Sequence, residues 1–199
     1  MHNRLFDVVI VGGGITGTSL AYTLAKYTDI KSIAVLEKYG SLAPLNTNAR
    51  SNSQTLHCGD IETNYTLDKA IQVKRTANMV VRYAEQVKKN DFLFKYPKMI
   101  LAVGEAECER LQQRYEQFRE AFPYMELWDA EKIAEVEPNV ALIDGKPRPE
   151  KILASGCTDE YSAVDYGVLC KSFIENARKT GKSIRVSLSS KVDRILAFD

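Results

Sequence analysis

No apolar run in this chain comes near the ~20 residues needed to cross a bilayer. The stretch before the first strand also lacks the long apolar core of a secretion signal. A membrane-spanning or exported protein is therefore not expected, while attachment to a membrane surface stays open. Charge of one sign is missing too. Lys plus Arg number 27 against 26 for Asp plus Glu, a net of +1. That leaves neither the basic field that nucleic acid calls for nor an acidic solvating tail. Cysteine is sparse, with Cys58, Cys108, Cys157 and Cys170 far apart and no C-x-x-C pair. These read as reduced cytosolic thiols rather than a disulfide framework or a zinc site, and no metal site is predicted. Internal repeats and low-complexity segments are also absent.

What is present suits a packed core. Hydrophobic residues make up 45% of the 199 and charged residues 27%, enough for one domain or one domain plus a part. Phe6 to Val11 is a short, β-branched apolar run that reads as a strand buried on both faces. A helix is predicted over Ile15 to Tyr27, with Leu20, Ala21, Leu24 and Ala25 on one face. Ser32 to Glu37 reads as a second buried strand. Strand, helix and strand within so short a span make a βαβ unit.

Between the first strand and the helix stands Gly12-Gly13-Gly14-Ile15-Thr16-Gly17, a G-x-G-x-x-G. The first glycine permits the tight turn, Gly14 lets a pyrophosphate come close, and Gly17 lets helix and strand pack. The diphosphate would rest on the unpaired N–H groups and positive dipole end of the helix start. Glu37 ends the second strand, where a carboxylate can accept hydrogen bonds from ribose hydroxyls and would repel a 2′-phosphate. Glu37 and the adjacent Lys38 complete the predicted cofactor contacts. Such a motif alone is weak evidence. With strand, helix, strand and acid in order it predicts a dinucleotide site. FAD is favoured over NAD because a long polar loop follows Glu37 where a simple NAD domain would continue with a compact βα unit.

That loop, residues 40–66, is rich in Asn, Ser, Thr and Gly without a clear period, and loops of this length in compact domains are often functional. Thr66 is placed to cap a helix over Leu67 to Lys89, with Val73, Ala77, Val80, Ala84 and Val87 as its buried stripe. Lys74, Arg75, Arg82, Lys88 and Lys89 read as its solvated face. Phe92 to Tyr96 and Met99 to Val103 read as strands around Pro97, a candidate hairpin. Helices are predicted over Glu105 to Phe122, after Asp129, and over Val164 to Thr180. Residues 144–150 form a turn-rich connection, and Ile184 to Leu188 and Val192 to Phe198 read as strands. The expected fold class is α/β: a Rossmann-like FAD/NAD(P)-binding βαβ domain over 1–90, the start of an α+β substrate domain over 91–150, and a further segment over 151–199.

From Phe6 to about Val140 the sequence resembles the FAD-dependent malate:quinone oxidoreductases, within the flavoproteins of glutathione-reductase-like nucleotide fold. Phe6-Asp7-Val8-Val9-Ile10-Val11-Gly12-Gly13-Gly14 identifies only the wider group. Asn52-Ser53-Gln54-Thr55-Leu56-His57-Cys58-Gly59-Asp60-Ile61-Glu62-Thr63-Asn64-Tyr65 is similar to a specific segment of that family, with Lys98-Met99 and Glu137-Pro138-Asn139-Val140 as lesser carriers. The nearest likeness is to the shorter bacterial members. The resemblance implies that residues 50–59 lie beside the isoalloxazine ring, with Asn52, Ser53 and Gln54 offering hydrogen bonds to the cofactor. It implies oxidation of malate, or a similar 2-hydroxy acid, with a quinone as acceptor. It further implies a cytoplasmic enzyme peripheral to the inner face of the membrane. Such enzymes are more than twice this length, so activity is implied for the intact enzyme and not for 199 residues alone.

Removing hydride and proton from a hydroxyl-bearing carbon needs a base, and a neutral imidazole suits that role near pH 7. His57, in the flavin-side loop, is the candidate, against a loop histidine bonded to backbone. Arg50 can fork a carboxylate, although an ordinary surface arginine is the simpler reading. Cys58, Glu62 and Tyr65 read as structural. The rival readings are an FAD enzyme for another 2-hydroxy acid or an amine, a non-catalytic FAD-binding module, and an NAD-dependent dehydrogenase.

Overall fold

The computed structural model describes residues 5–196. The elements run β1 (Val8–Val11), α1 (Ile15–Tyr27), β2 (Ser32–Leu36), α2 (Leu67–Val87), β3 (Leu93–Lys95), β4 (Lys98–Val103), α3 (Glu105–Phe118) and β5 (Glu126–Trp128). They continue with α4 (Ala130–Val136), α5 (Pro138–Ala141), β6 (Leu142–Ile143), β7 (Lys146–Pro147), β8 (Ile152–Cys157), β9 (Tyr161–Val164), α6 (Tyr166–Arg178) and β10 (Ser183–Ser187). Two compact units result. The first takes the chain up to Gln54 and again from Val164 onward; the second is Thr55–Ala163. The division expected near 90 and 150 is one of role, whereas the chain passes between these compact units at 54/55 and 163/164. Helix α2 groups with the second unit because Leu67 and Ala70 pack there among Phe118, Phe122, Met125 and Cys157.

In the first unit a parallel sheet has the order β1-β2-β10, with Val8 opposite Ile33 and Ser183 opposite Ser32. β2 is central and its Ile33, Ala34 and Val35 are buried. β1 differs from expectation. Ile10 is buried, but Val9 and Val11 are 52% and 59% exposed. The cause is that α1 and α6 pack against each other and against the sheet, and so cover one face. Helix α1 has the predicted span. Its buried residues are Thr18, Ala21, Tyr22 and Ala25, whereas Leu20 faces outward. Tyr22 meets Phe173 of α6 with ring centroids 5.6 Å apart. Asp165 starts α6 by accepting from Val168 N–H at 2.9 Å. Residues 192–196 form no strand, and 197–198 of that predicted segment lie outside the described residues. Ile195 and Leu196 are exposed, so their apolar run serves no buried face.

The second unit is built on an antiparallel sheet, β4-β8-β5, with Lys98 opposite Cys157 and Trp128 opposite Ala154. Trp128, Ile133, Ala141, Ile152 and Ala154 form the core on one side. The expected hairpin around Pro97 does not form. β3 pairs with β9 and β4 with β8, each finding a partner distant in sequence. Thr66 caps α2 as predicted, its hydroxyl accepting from Lys69 N–H at 3.4 Å. Lys74 is half-buried rather than fully solvated. It donates to the Ala121 carbonyl at 2.6 Å and lies over the rings of Phe122 and Tyr124. Helix α3 stops at Phe118 rather than Phe122, and residues 144–150 include the turn of the β6/β7 pair.

Candidate functional site

The first unit carries a cleft of about 660 Å³ where β1 passes into α1. It is lined by the glycine turn, by Glu37 and Lys38 at the end of β2, and by the loop from Ala43 to Thr47. The turn depends on two glycines. Gly12 sits at φ +108°, a backbone region that side chains rarely adopt, and any Cβ on Gly17 would run into the Gly12 carbonyl oxygen. The close approach lets α1 begin hard against the end of the strand. Helix α1 has no side-chain N-cap bond from Gly14. Among the described residues, the N–H groups of Gly14, Thr16 and Gly17 donate to no acceptor. Unpaired donors at a helix start, with the positive end of its dipole, make a seat for an anion. Gly12, Gly14, Ile15, Thr16 and Gly17 thus line one cleft where β1 passes into α1.

Glu37 is buried yet lines the cleft. Its Oε2 accepts from Gly13 N–H at 2.8 Å and its Oε1 from Tyr39 N–H at 2.9 Å. The carboxylate therefore ties the strand end to the glycine turn. A carboxylate has about four lone-pair sites, so acceptor capacity remains for ribose hydroxyls. Lys38 is exposed, with Nζ 4.8 Å from the centroid of the Tyr39 ring. Sequence reasoning missed Thr47. Its hydroxyl accepts from Ile15 N–H at 3.2 Å, taking up one donor of the helix start and closing one wall of the seat. Nothing periodic marks Thr47 in the polar loop. The only signal was that the loop is long.

The flavin-side segment predicted from residues 50–59 spans the two units. In the first, Asn52 Oδ1 accepts from Gln54 N–H at 2.8 Å, and Gln54 Oε1 accepts from Tyr166 N–H at 2.9 Å. Gln54 holds a left-handed conformation, φ 57°. Asn52 thus already serves the loop's own backbone and Gln54 the start of α6, while Ser53 is exposed. Arg50 is exposed too, its N–H bonded to Asn48 Oδ1. In the second unit, His57 Nδ1 lies 2.7 Å from Glu62 Oε1. Cys58 is half-buried, and burial pushes its thiol up to about 11. A thiol so resistant to ionisation is no nucleophile near neutral pH, in line with its structural reading.

The family model for malate:quinone oxidoreductase (Mqo) matches residues 4–197. The chain belongs to the malate:quinone oxidoreductase family. It is 46% identical over 200 residues to the probable malate:quinone oxidoreductase of Campylobacter jejuni, covering 98% of this chain and 45% of that protein. It is 41% identical over 192 residues to the malate:quinone oxidoreductase of Helicobacter pylori, covering 96% and 43%. The chain thus spans less than half the length of these curated relatives. Among solved structures, L-proline dehydrogenase from P. horikoshii superposes with TM-score 0.67 at 21% identity, covering 98% of this chain and 47% of the other. L-α-glycerophosphate oxidase from Mycoplasma pneumoniae, solved with FAD bound, gives 0.62 at 19%, covering 96% and 46%. At these identities the likeness establishes the fold, and the fold class is the one expected.

Within this family member the second unit holds a buried ion pair that its sequence did not announce. Lys98 Nζ is 2.5 Å from Asp60 Oδ2, and both side chains are almost fully buried. Tyr124 O–H donates to the same oxygen at 2.8 Å. Burial pulls the Lys98 pKa down, and Asp60 outweighs it, so the ammonium is held above its ordinary value. Lys98 and Asp60 belong to segments that carried the family resemblance, and their contact supplies a structural reason for those residue types. No group of three or more His, Cys, Asp or Glu residues suited to a metal occurs among the described residues. None of their helices is long and apolar enough to cross a membrane.

Proposed function

We propose that this chain is the N-terminal part of an enzyme that binds FAD and oxidises (S)-malate to oxaloacetate, passing the electrons to a quinone. The observation that carries the reading is the row of unpaired N–H groups at the start of α1, facing a cleft bordered by the Glu37 carboxylate. That donor set fits a diphosphate and a ribose, and family membership selects the chemistry. FAD, when bound, supplies the acceptor for the hydride that leaves the malate carbon. Gly14, Thr16 and Gly17 hold the diphosphate through backbone donors. Glu37 accepts from ribose hydroxyls while fixing the glycine turn. Asn52, Ser53 and Gln54 shape the flavin-side loop, and His57 takes the hydroxyl proton at Nε2. Arg50 is the candidate anchor for a malate carboxylate. The quinone acceptor is a lipid, so the enzyme works at the surface of a membrane, on the cytoplasmic side.

The test uses the full-length polypeptide. It is expected to purify with bound FAD, visible in its absorbance, and malate added without oxygen should bleach that absorbance. A colourless protein that takes up NAD instead would overturn the cofactor. Bleaching by 2-hydroxyglutarate, glycerol 3-phosphate or sarcosine, with none by malate, would overturn the substrate.

A further inference from the structure

His57 is 62% exposed, whereas its partner Glu62 is only 13% exposed. The second oxygen of Glu62, Oε2, is buried and has no hydrogen-bond partner. The carboxylate therefore directs its acceptor capacity at one group, the imidazole Nδ1 at 2.7 Å. Glu62 is itself held. The Arg114 guanidinium donates to the carbonyls of Glu62 at 2.9 Å and Tyr65 at 3.1 Å, and Tyr65 N–H closes the turn onto the Glu62 carbonyl at 3.2 Å. Arg114 in turn lies 3.7 Å from the centroid of the Phe118 ring. A chain of contacts runs from α3 through Arg114 and Glu62 to His57. A carboxylate can only accept, so Nδ1 of the neutral ring carries the hydrogen and the lone pair resides on Nε2.

We propose that Glu62 is a positioning residue for His57, fixing its ring and tautomer so that Nε2 is the atom that receives the substrate's hydroxyl proton. The inference rests on reading His57 as the base. In that step the malate O–H bond breaks and its proton passes to Nε2. The O–H electron pair becomes the second bond of the carbonyl, and the C–H pair departs as hydride to the flavin. Malate is oxidised and FAD reduced. The imidazolium so formed keeps its Nδ1–H on Glu62, whose charge offsets the new positive charge in the transition state.

The experiment uses the intact, FAD-loaded enzyme. In ¹⁵N-histidine spectra, the signal missing in His57→Gln identifies His57. Its neutral ring is expected to carry hydrogen on Nδ1, and hydrogen on Nε2 would overturn the proposal. This measurement needs no Glu62 variant to fold. In anaerobic mixing, Glu62→Gln is expected to slow malate-driven flavin reduction by about 10-fold or more. The malate dissociation constant should stay within about twofold, since the loss belongs to the transition state. The double variant with His57→Gln should be no slower than His57→Gln alone. Glu62→Gln at the wild-type rate, with His57→Gln slow, overturns the role of Glu62 and leaves the base standing. His57→Gln at the wild-type rate overturns the base and, with it, this inference.

Discussion

Single contacts decide much of this protein. Gly17 is one such point, since a methyl group there meets a backbone carbonyl that cannot move without breaking the β1–α1 turn. Gly17→Ala in the intact enzyme is expected to cost at least about 1–3 kcal/mol by overpacking. It should also release FAD, read as lost flavin absorbance after gel filtration. Retention of full flavin content would show that the turn is looser than its geometry. Lys98 is the second. Replacing it by Met leaves the Asp60 carboxylate buried beside Tyr124 with no cation, a loss of about 3–5 kcal/mol for one broken partner. Adding Asp60→Asn should recover most of that loss in urea titrations, because the cost lies in the stranded charge. A double variant as unstable as Lys98→Met alone would mean the damage is in packing.

At the level of elements, what is legible in sequence is what is local. Helix α1 begins and ends where its residues say, and α2 and α4 start after the predicted caps Thr66 and Asp129; α6, expected from Val164, starts after Asp165, and each of the three caps accepts from an N–H in the first turn. Thr66→Ala should therefore destabilise by about 1 kcal/mol in thermal unfolding. The C-terminus of α2 offers the opposite change. Lys88 sits there in a left-handed conformation, φ 53°, its N–H closing onto Ala84 and Glu85. Lys88→Gly should stabilise by about 0.5–1 kcal/mol, raising the unfolding temperature, since glycine adopts that conformation without penalty. The sheet β4-β8-β5 was not legible. Strand β8 reads Ile-Leu-Ala-Ser-Gly-Cys, which lacks a period, and it is a strand because β4 and β5 flank it on both edges. Pro97 suggested a turn between neighbours, but pairing with distant strands prevailed.

Across the whole molecule, the cleft at the start of α1 was readable because its unpaired donors, its glycines and Glu37 lie within one βαβ unit. Thr47 and the Glu62–His57 pair escaped because loops without a period hide which side chains return to which backbone. The same holds for the second unit's interior, where titratable groups cluster out of sight of any pattern, and that interior sets a pH limit. Burial pushes the Cys58 and Cys157 thiols from 9.0 to about 11, and burial with the neighbouring Asp60 carboxylate pushes the Tyr124 hydroxyl well above its ordinary value. In the unfolded chain the thiols ionise near 9.0, so between there and about 11 the folded state holds more protons than the unfolded one. Stability must then fall as pH rises through that window. Lys98, held above its ordinary value by Asp60, keeps its charge for most of the interval, so the ion pair does not cause the early loss. Urea midpoints of the intact enzyme should therefore be level from about pH 7 to 8.5 and drop from about pH 9 to 10.5. Replacing Cys58 and Cys157 together by Ala should reduce that drop, leaving the parts due to the Cys170 thiol, which burial also raises, and to Tyr124 above about pH 10. An undiminished decline in the double variant would place the alkaline weakness outside these two thiols.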